Sequence, residues 1–407
     1  FYEAYDIALP AAWRTQDQSL KIDQYNNQVY SSSELLDKEI EHTLNHDMFY
    51  LSTPLLFAFE KGENTLSLEN NEISYELIEI RLQPKETIDT YKSYQKNNLE
   101  DSKETPKLAD VEPLILEGEG FTEKNRVHIR GERSKDYNYH PYDPKSSLIN
   151  VLAPTMWQNP GDAVSYAFEV PEDGYYRIGF RVQQDQKRDM PVYKNILIDG
   201  RIPFDALESY AFPFTGSAVQ TEFLNADGEE FLFYLSQGKH EIQLISTASN
   251  YFGAYEVLSQ VIRQMNQLTL DIRTITGNRI DENRQWNIEQ YIPDIREQLQ
   301  ELIDSLNLVY QDLSHLSGQE NSTTWNNLRI IADQLELYLE ETKGLDKFVN
   351  NLDNFSQNDG SMAQQISALI DQMLLQPLSI DQVYIAGEDL SALPGKLNFF
   401  QRSYLGL

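Results

Sequence analysis

The 407-residue chain contains no cysteine, which excludes disulfides, thiol nucleophiles and Cys-ligated zinc. It also lacks any uninterrupted apolar stretch of about 18 residues, the length a membrane-spanning helix needs. No secretory leader is read at Phe1, which falls inside a repeated segment, so further sequence is expected upstream of it. Bases are scarce: 33 Lys and Arg stand against 64 Asp and Glu, a formal net charge of −31. Nucleic-acid backbones and anionic membrane surfaces are bound by clustered Lys and Arg, so this balance argues against both. It suits a highly solvated protein, or one that holds Ca²⁺. Motifs with catalytic mechanics are missing too: there is no GxSxG, P-loop or GxGxxG. Among the six histidines, His42 and His46 lie four apart, but HTLNH lacks the Glu of a metallohydrolase helix. Acid pairs identify nothing in a chain this acidic. The protein is therefore read as non-enzymatic.

What is present is a globular balance, 40% hydrophobic and 24% charged, in a length that predicts two or three domains. An internal repeat organises it. LFAFEKGENTLSL (56–68) returns as LFYLSQGKHEIQL (232–244), ISYELIEI (73–80) as LSIDQVYI (378–385), and FYEAYDIALP (1–10) as FDALESYAFP (204–213). The first pair reads as a β-hairpin, with Gly62 and Gly238 at turns that need positive φ. The order of the segments predicts the C-terminal part of a first β-sandwich over 1–82, whose N-terminal part is not in this chain. Residues 83–110, polar and poor in aliphatics, read as a linker.

The second copy is predicted over 111–250 and 377–390. Val164, Tyr166, Phe168 and Val170 alternate with small or polar residues, and Tyr176, Ile178, Phe180 and Val182 do so again after a Pro-Glu-Asp-Gly turn. Short strands separated by frequent turns indicate a β-sandwich. Between the hairpin and the last strand, residues 251–376 change to helical spacing. Leu258, Val261, Met265, Leu268 and Ile272 are followed by Gly277, and Leu299, Leu302, Ile303, Leu306, Val309 and Leu313 by Gly318. A third helix is read over 322–343, and a broken fourth over 345–355 and 361–375, stopped by Pro377. The fold class is thus mixed: a jelly-roll-like β-sandwich carrying an inserted α-helical bundle, with 391–407 as a C-terminal linker.

The second copy resembles the carbohydrate-binding modules of families six, thirty-five and thirty-six. It carries an acidic first strand (LEGEG), the strand pair WQNPGDAVSYAFEVPEDGYYRIGFR, NILIDG, the hairpin FYLSQGKHEIQL and the last strand LSIDQVYI. Over nearly its whole length the chain is similar to long extracellular solute-binding lipoproteins of ABC transporters in Gram-positive bacteria. The segments ILIDGRIPFDAL, EEFLFYLSQGKHEIQL, the TGN turn at 276–278 and QPLSIDQVYIAG carry that likeness. It implies two such sandwiches, the second split by helices, followed by a solute-binding domain of the same polypeptide beyond residue 407.

The resemblance also implies sites. A structural Ca²⁺ would bridge the first and last strands through Glu117, Glu119 and Asp381, and Glu76 is the counterpart of Asp381 in the first copy. Hard oxygen ligands suit Ca²⁺. Sugars stack on aromatic rings and hydrogen-bond to planar polar groups. Trp157, Tyr139 and Tyr142, in or beside the long segment 121–150, are the candidate platforms for a glycan or oligosaccharide. Arg181, Gln183, Gln184 and Arg188, on or after a strand leading to the binding loops, are the candidate polar contacts. The expected function is a carbohydrate-binding accessory region without catalysis. A structural spacer or protein-docking module with degenerate sandwiches stays open, as does the non-catalytic part of a glycoside hydrolase.

Overall fold

A computed structural model describes residues 9–15, 21–45, 55–69, 76–84, 87–98, 107–277, 280–281 and 284–393. Strands β1 (Trp13–Thr15), β2 (Lys21–Ile22), β3 (Gln28–Val29) and β4 (Ser33–Leu35) precede helix α1 (Tyr91–Asn98). Next come β5 (Leu114–Glu117), β6 (Glu123–Lys124), β7 (Gly131–Glu132), β8 (Val151–Leu152), β9 (Ala163–Val170), β10 (Gly174–Gln183), β11 (Val192–Ile198) and β12 (Tyr210–Phe212). They are followed by β13 (Gln220–Phe223), β14 (Asn225–Ala226), β15 (Glu229–Glu230), β16 (Phe233–Leu235) and β17 (Gly238–Thr247). Helices α2 (Phe252–Thr276), α3 (Ile295–Ser317), α4 (Asn326–Glu340), α5 (Gly344–Asn350), α6 (Leu352–Ser356) and α7 (Met362–Leu374) intervene before β18 (Ser379–Ala386).

Two sheets face each other. One has the order β12-β11-β17-β9-β6-β1-β4; in the other, β13-β10-β18-β8-β7, β16 also pairs with β10 and β5 with β18. The alternation read along β9 and β10 has a physical cause. Val164, Tyr166, Phe168, Tyr176, Ile178, Phe180 and Val182 all point into one buried core between the sheets. Burying each such side chain contributes on the order of 1.5–3 kcal/mol, which pins the register.

The helices have a second core. Leu258, Val261, Met265, Leu268 and Ile272 of α2 meet Leu299, Leu302, Leu306 and Val309 of α3, with Leu328, Ile331 and Leu335 of α4 and Ile366 and Met373 of α7. Apolar residues at three- and four-residue spacing bury one face of each helix, as a bundle requires. Among the described residues no helix is long and apolar enough to cross a membrane.

Bundle and sandwich are joined by a buried polar seam. Lys187 Nζ donates to the Leu375 carbonyl at 2.9 Å. Lys194 Nζ, wholly buried, donates to the Gln376 carbonyl at 2.7 Å and to Ser246 Oγ at 2.6 Å. The Gln376 N–H donates to the Gln158 carbonyl, and Tyr251 Oη to the Pro191 carbonyl, each at 2.7 Å. Thr324 Oγ1 reaches across from the bundle to the Arg188 carbonyl.

The amino-terminal third departs from the expected half-sandwich. Residues 55–69 hold no strand, and Leu56, Phe59, Leu66 and Leu68 are exposed. A sandwich strand needs paired neighbours and a facing sheet to cover its apolar side, and the described residues supply neither here. Instead β1 extends the second copy's own sheet, pairing Trp13 with Lys124. The repeated segments at 1–10 and 73–80 fall largely outside the described residues. The stretch 83–110 is likewise not merely a linker. Tyr91 and Tyr94, one helical turn apart in α1, pack against Phe204 with ring centroids 4.7 and 5.2 Å away. Ala109 is buried, and its N–H donates to the Tyr175 carbonyl. A polar composition concealed two tyrosines that share one helix face.

Candidate functional site

The acidic first strand and the last strand do meet. β5 pairs antiparallel with β18, Glu117 opposite Gln382. The pairing of β18 with β10 shifts register beside Asp381, with Arg181 opposite Gln382 and Val182 opposite Ile380. Gly118 explains the EGEG spelling: a Cβ there would lie 2.0 Å from the Ile380 carbonyl oxygen, so only glycine lets the two backbones approach. Its N–H donates to the Asp381 carbonyl at 2.7 Å.

Around this junction lies a half-buried polar cluster. Asp381 is fully buried; its Oδ1 accepts the His140 backbone N–H at 2.6 Å, and its Oδ2 is paired with the Arg181 guanidinium. Arg181 Nη1 also lies 2.7 Å from His140 Nδ1. Both Glu117 oxygens accept from Gln382 Nε2 at 3.2 Å, and Gln382 Oε1 accepts from Tyr384 Oη at 2.8 Å. Tyr139 donates to Gln183 Oε1, and Gln183 Nε2 to the Gly216 carbonyl.

Electrostatically the cluster is short of positive charge. Burial pushes the Glu119 carboxyl up to about 9, with Glu117 and Asp381 adding to the effect. Burial also raises Glu117, helped by Asp381 and opposed by the Gln382 hydrogen bond. Glu119 Oε2 is buried without a hydrogen-bond partner among the described residues. A hard cation beside it would supply that partner, with Glu117 next to it. Each Asp381 oxygen already has a protein partner, Arg181 at one and the His140 backbone N–H at the other. Among the described residues no group of three or more His, Cys, Asp or Glu side chains is placed to hold a metal. Among the described residues Glu117, Glu119 and Asp381 are thus not gathered as one metal-holding group, and Glu119 Oε2 is the oxygen of the three left without a partner.

The sugar candidates divide into two groups. Tyr139, Arg181 and Gln183 join the polar cluster, but all three are buried and engaged with protein partners. Trp157, Gln184 and Arg188 lie apart, at the seam. Trp157 is completely buried, donates Nε1–H to the Leu378 carbonyl at 2.7 Å and has Lys194 Nζ 3.7 Å from its ring centroid. It is a residue of the sandwich core, packed among the apolar side chains between the sheets. Gln184 is buried and ties its own loop, donating to the Lys187 and Met190 carbonyls. Arg188 is exposed, with its carbonyl held by the bundle. Tyr142 is half-buried in the long segment. Glu76 is exposed and lies in no strand among the described residues. His140, Gln382 and Tyr384 were missed by sequence reasoning; the alternation of β18 places Gln382 and Tyr384 on one face and could have marked them.

Comparison with known proteins bears on the two parts separately. Residues 253–373 match the family described as bacterial solute-binding protein, 4-helix bundle domain, a span reaching from α2 into α7. No curated protein matches the chain. Among solved structures, a family 35 carbohydrate binding module from Clostridium thermocellum is 18% identical over 33% of this chain and 87% of its own, with a TM-score of 0.24. A family 35 module from Cellvibrio japonicus is 17% identical over 33% and 83%, with a TM-score of 0.20. A Paenibacillus sp. cycloisomaltooligosaccharide glucanotransferase complexed with cycloisomaltoheptaose is 20% identical over 35% of this chain, with a TM-score of 0.25; the match spans 17% of that enzyme.

Proposed function

We propose that this chain is the non-catalytic accessory region of a cell-surface solute-binding protein that serves an ABC importer, anchored as a lipoprotein on a Gram-positive cell. The observation that carries the reading is the helical bundle matching a solute-binding-protein family, held between β17 and β18 of a sandwich. The partner within the polypeptide is a solute-binding domain beyond residue 407, and the external ligand is a glycan.

With Trp157 buried, sugar contact falls to the solvent-facing part of the long segment, where Tyr142 is accessible. The test is a glycan array on the purified chain. Binding that is lost in Tyr142→Ala while circular dichroism is unchanged supports the module. Silence across plant, host and cell-wall glycans favours a spacer, which the burial of Trp157 and Tyr139 already suits. Ca²⁺, seated at Glu119 with Glu117, is proposed as a structural ion. The melting temperature should then rise on adding Ca²⁺ and not do so in Glu119→Gln; an equal response of both proteins removes the ion from the reading.

A further inference from the structure

In a chain of net charge −31, residues 121–150 run the other way, with six Lys or Arg against four Asp or Glu. The structure gathers part of this excess on a platform. Tyr30, between β3 and β4, lies under two guanidinium groups, with Arg130 4.8 Å and Arg133 4.7 Å from its ring centroid. The Tyr30 hydroxyl donates to Glu132 Oε2 at 2.9 Å, and Arg130 Nε donates to Glu132 Oε1 at 2.9 Å. Arg133 donates to the Gln28 carbonyl. Each arginine thus spends one N–H on being held, and the remaining N–H edges of both forks stay available among the described residues. Arg130, Arg133 and Lys135 are exposed, and His128 and Val127 beside them are exposed as well. The platform belongs jointly to the amino-terminal segment and to the sandwich; between its two arginines Gly131 packs against Glu119, at the edge of the Asp381 cluster.

We propose that this strip, Arg130 and Arg133 stacked on Tyr30 with exposed Lys135 two residues further on, binds an acidic polysaccharide through its carboxylates. The proposal deepens the glycan reading above and rests on it. Guanidinium forks held by stacking match carboxylates in geometry and lose little freedom on binding. The charge of the rest of the chain does not forbid this. At physiological ionic strength the screening length is about 8 Å, so a bound polymer senses the strip more than the distant acids. The net charge of −31 disfavours a nucleic-acid duplex, which carries closely spaced phosphates along both strands. Single-stranded nucleic acid is bound by open aromatic faces, and the Tyr30 ring is taken up by the arginines.

The experiment measures binding of the whole chain to polygalacturonate, to dextran and to oligothymidylate at two salt concentrations. Polygalacturonate should bind at least about tenfold tighter than either control and weaken as salt rises. The double variant Arg130→Gln/Arg133→Gln should lose about tenfold or more of that affinity at an unchanged melting temperature. Arg130→Lys/Arg133→Lys keeps the charge without the forks and should recover only part of it. Equal affinity in the double Gln variant overturns the proposal, as does oligothymidylate binding as well as polygalacturonate. Glycan binding that survives the Gln pair but is lost in Tyr142→Ala overturns the strip and leaves the module standing. Binding to no glycan at all overturns both.

Discussion

Residues 55–69 and 231–247 begin from a similar apolar-turn-apolar pattern and end in different states. Gly62 and Gly238 occupy corresponding positions and have nearly identical backbone angles, φ of +133° and +131°. At 62 the turn is closed locally, with the Asn64 side chain donating to the Glu60 and Gly62 carbonyls. At 238 the same turn opens β17, which pairs along its length with β9 and with β11. Leu244 is wholly buried and its counterpart Leu68 is 59% exposed. A turn is decided by a few residues, whereas a ladder and its buried face need neighbours from elsewhere in the fold.

The largest expected effect tests this contrast directly. Leu244→Ala should cost about 2–5 kcal/mol in urea unfolding, since it opens a cavity in a closed core. Leu68→Ala should stay within about 0.5 kcal/mol. A cost at Leu68 comparable with that at Leu244 would show that 55–69 finds pairing partners in solution.

A smaller effect concerns the seam between bundle and sandwich. Burial pulls the Lys187 ammonium down to about 7 from its ordinary 10.5. The folded protein therefore holds fewer protons than the unfolded chain between these values, and this group's contribution is full above about 10.5 and lost as pH falls to about 7. Stability should rise between pH 7 and pH 9 by up to about 2–3 kcal/mol from this group, and Lys187→Met should flatten the slope. An unchanged slope would mean that the lysine stays charged, held by the Leu375 carbonyl and the Tyr251 ring 4.8 Å away.

The smallest effect returns to the glycines. Gly238→Ala should cost on the order of 1 kcal/mol, because an L side chain is strained at that φ although open space surrounds it. Gly62→Ala carries the same strain but should leave the global unfolding midpoint where it is. A shift at Gly62 would couple that turn to the cooperative core.

Much of the carboxy-terminal part was legible because it rests on periodicity. Val164 to Val170, Tyr176 to Val182 and the stripe from Leu258 to Ile272 each announce a buried face by spacing alone. The candidate site was less legible. Periodicity does not reveal which aromatics outside the strands turn into the core, so Trp157 read as a platform and is a core residue. Nor does it show that Lys187 and Lys194 have left water, since that depends on carbonyls at 375 and 376 that close over them from the end of the bundle. The role of Asp381 was hidden for a similar reason: its partner Arg181 lies across a register shift that only the pairing of two distant strands creates.

The position of the bundle between β17 and β18 also shapes the order of events during synthesis. β18 lies between β10 and β5 and contributes Ile380, Val383 and Ile385 to the sandwich core, yet about 130 residues separate it from β17. A chain emerging from the ribosome must hold β10 with an open edge until the whole bundle has been made. Such an edge invites wrong partners. Helical hairpins of low contact order form quickly, and once α2 to α7 have closed, the two ends of the insert lie together at the seam. The bundle is then the clasp that delivers the last strand, so a mutation deep among its helices would reach the sandwich as a failure of assembly.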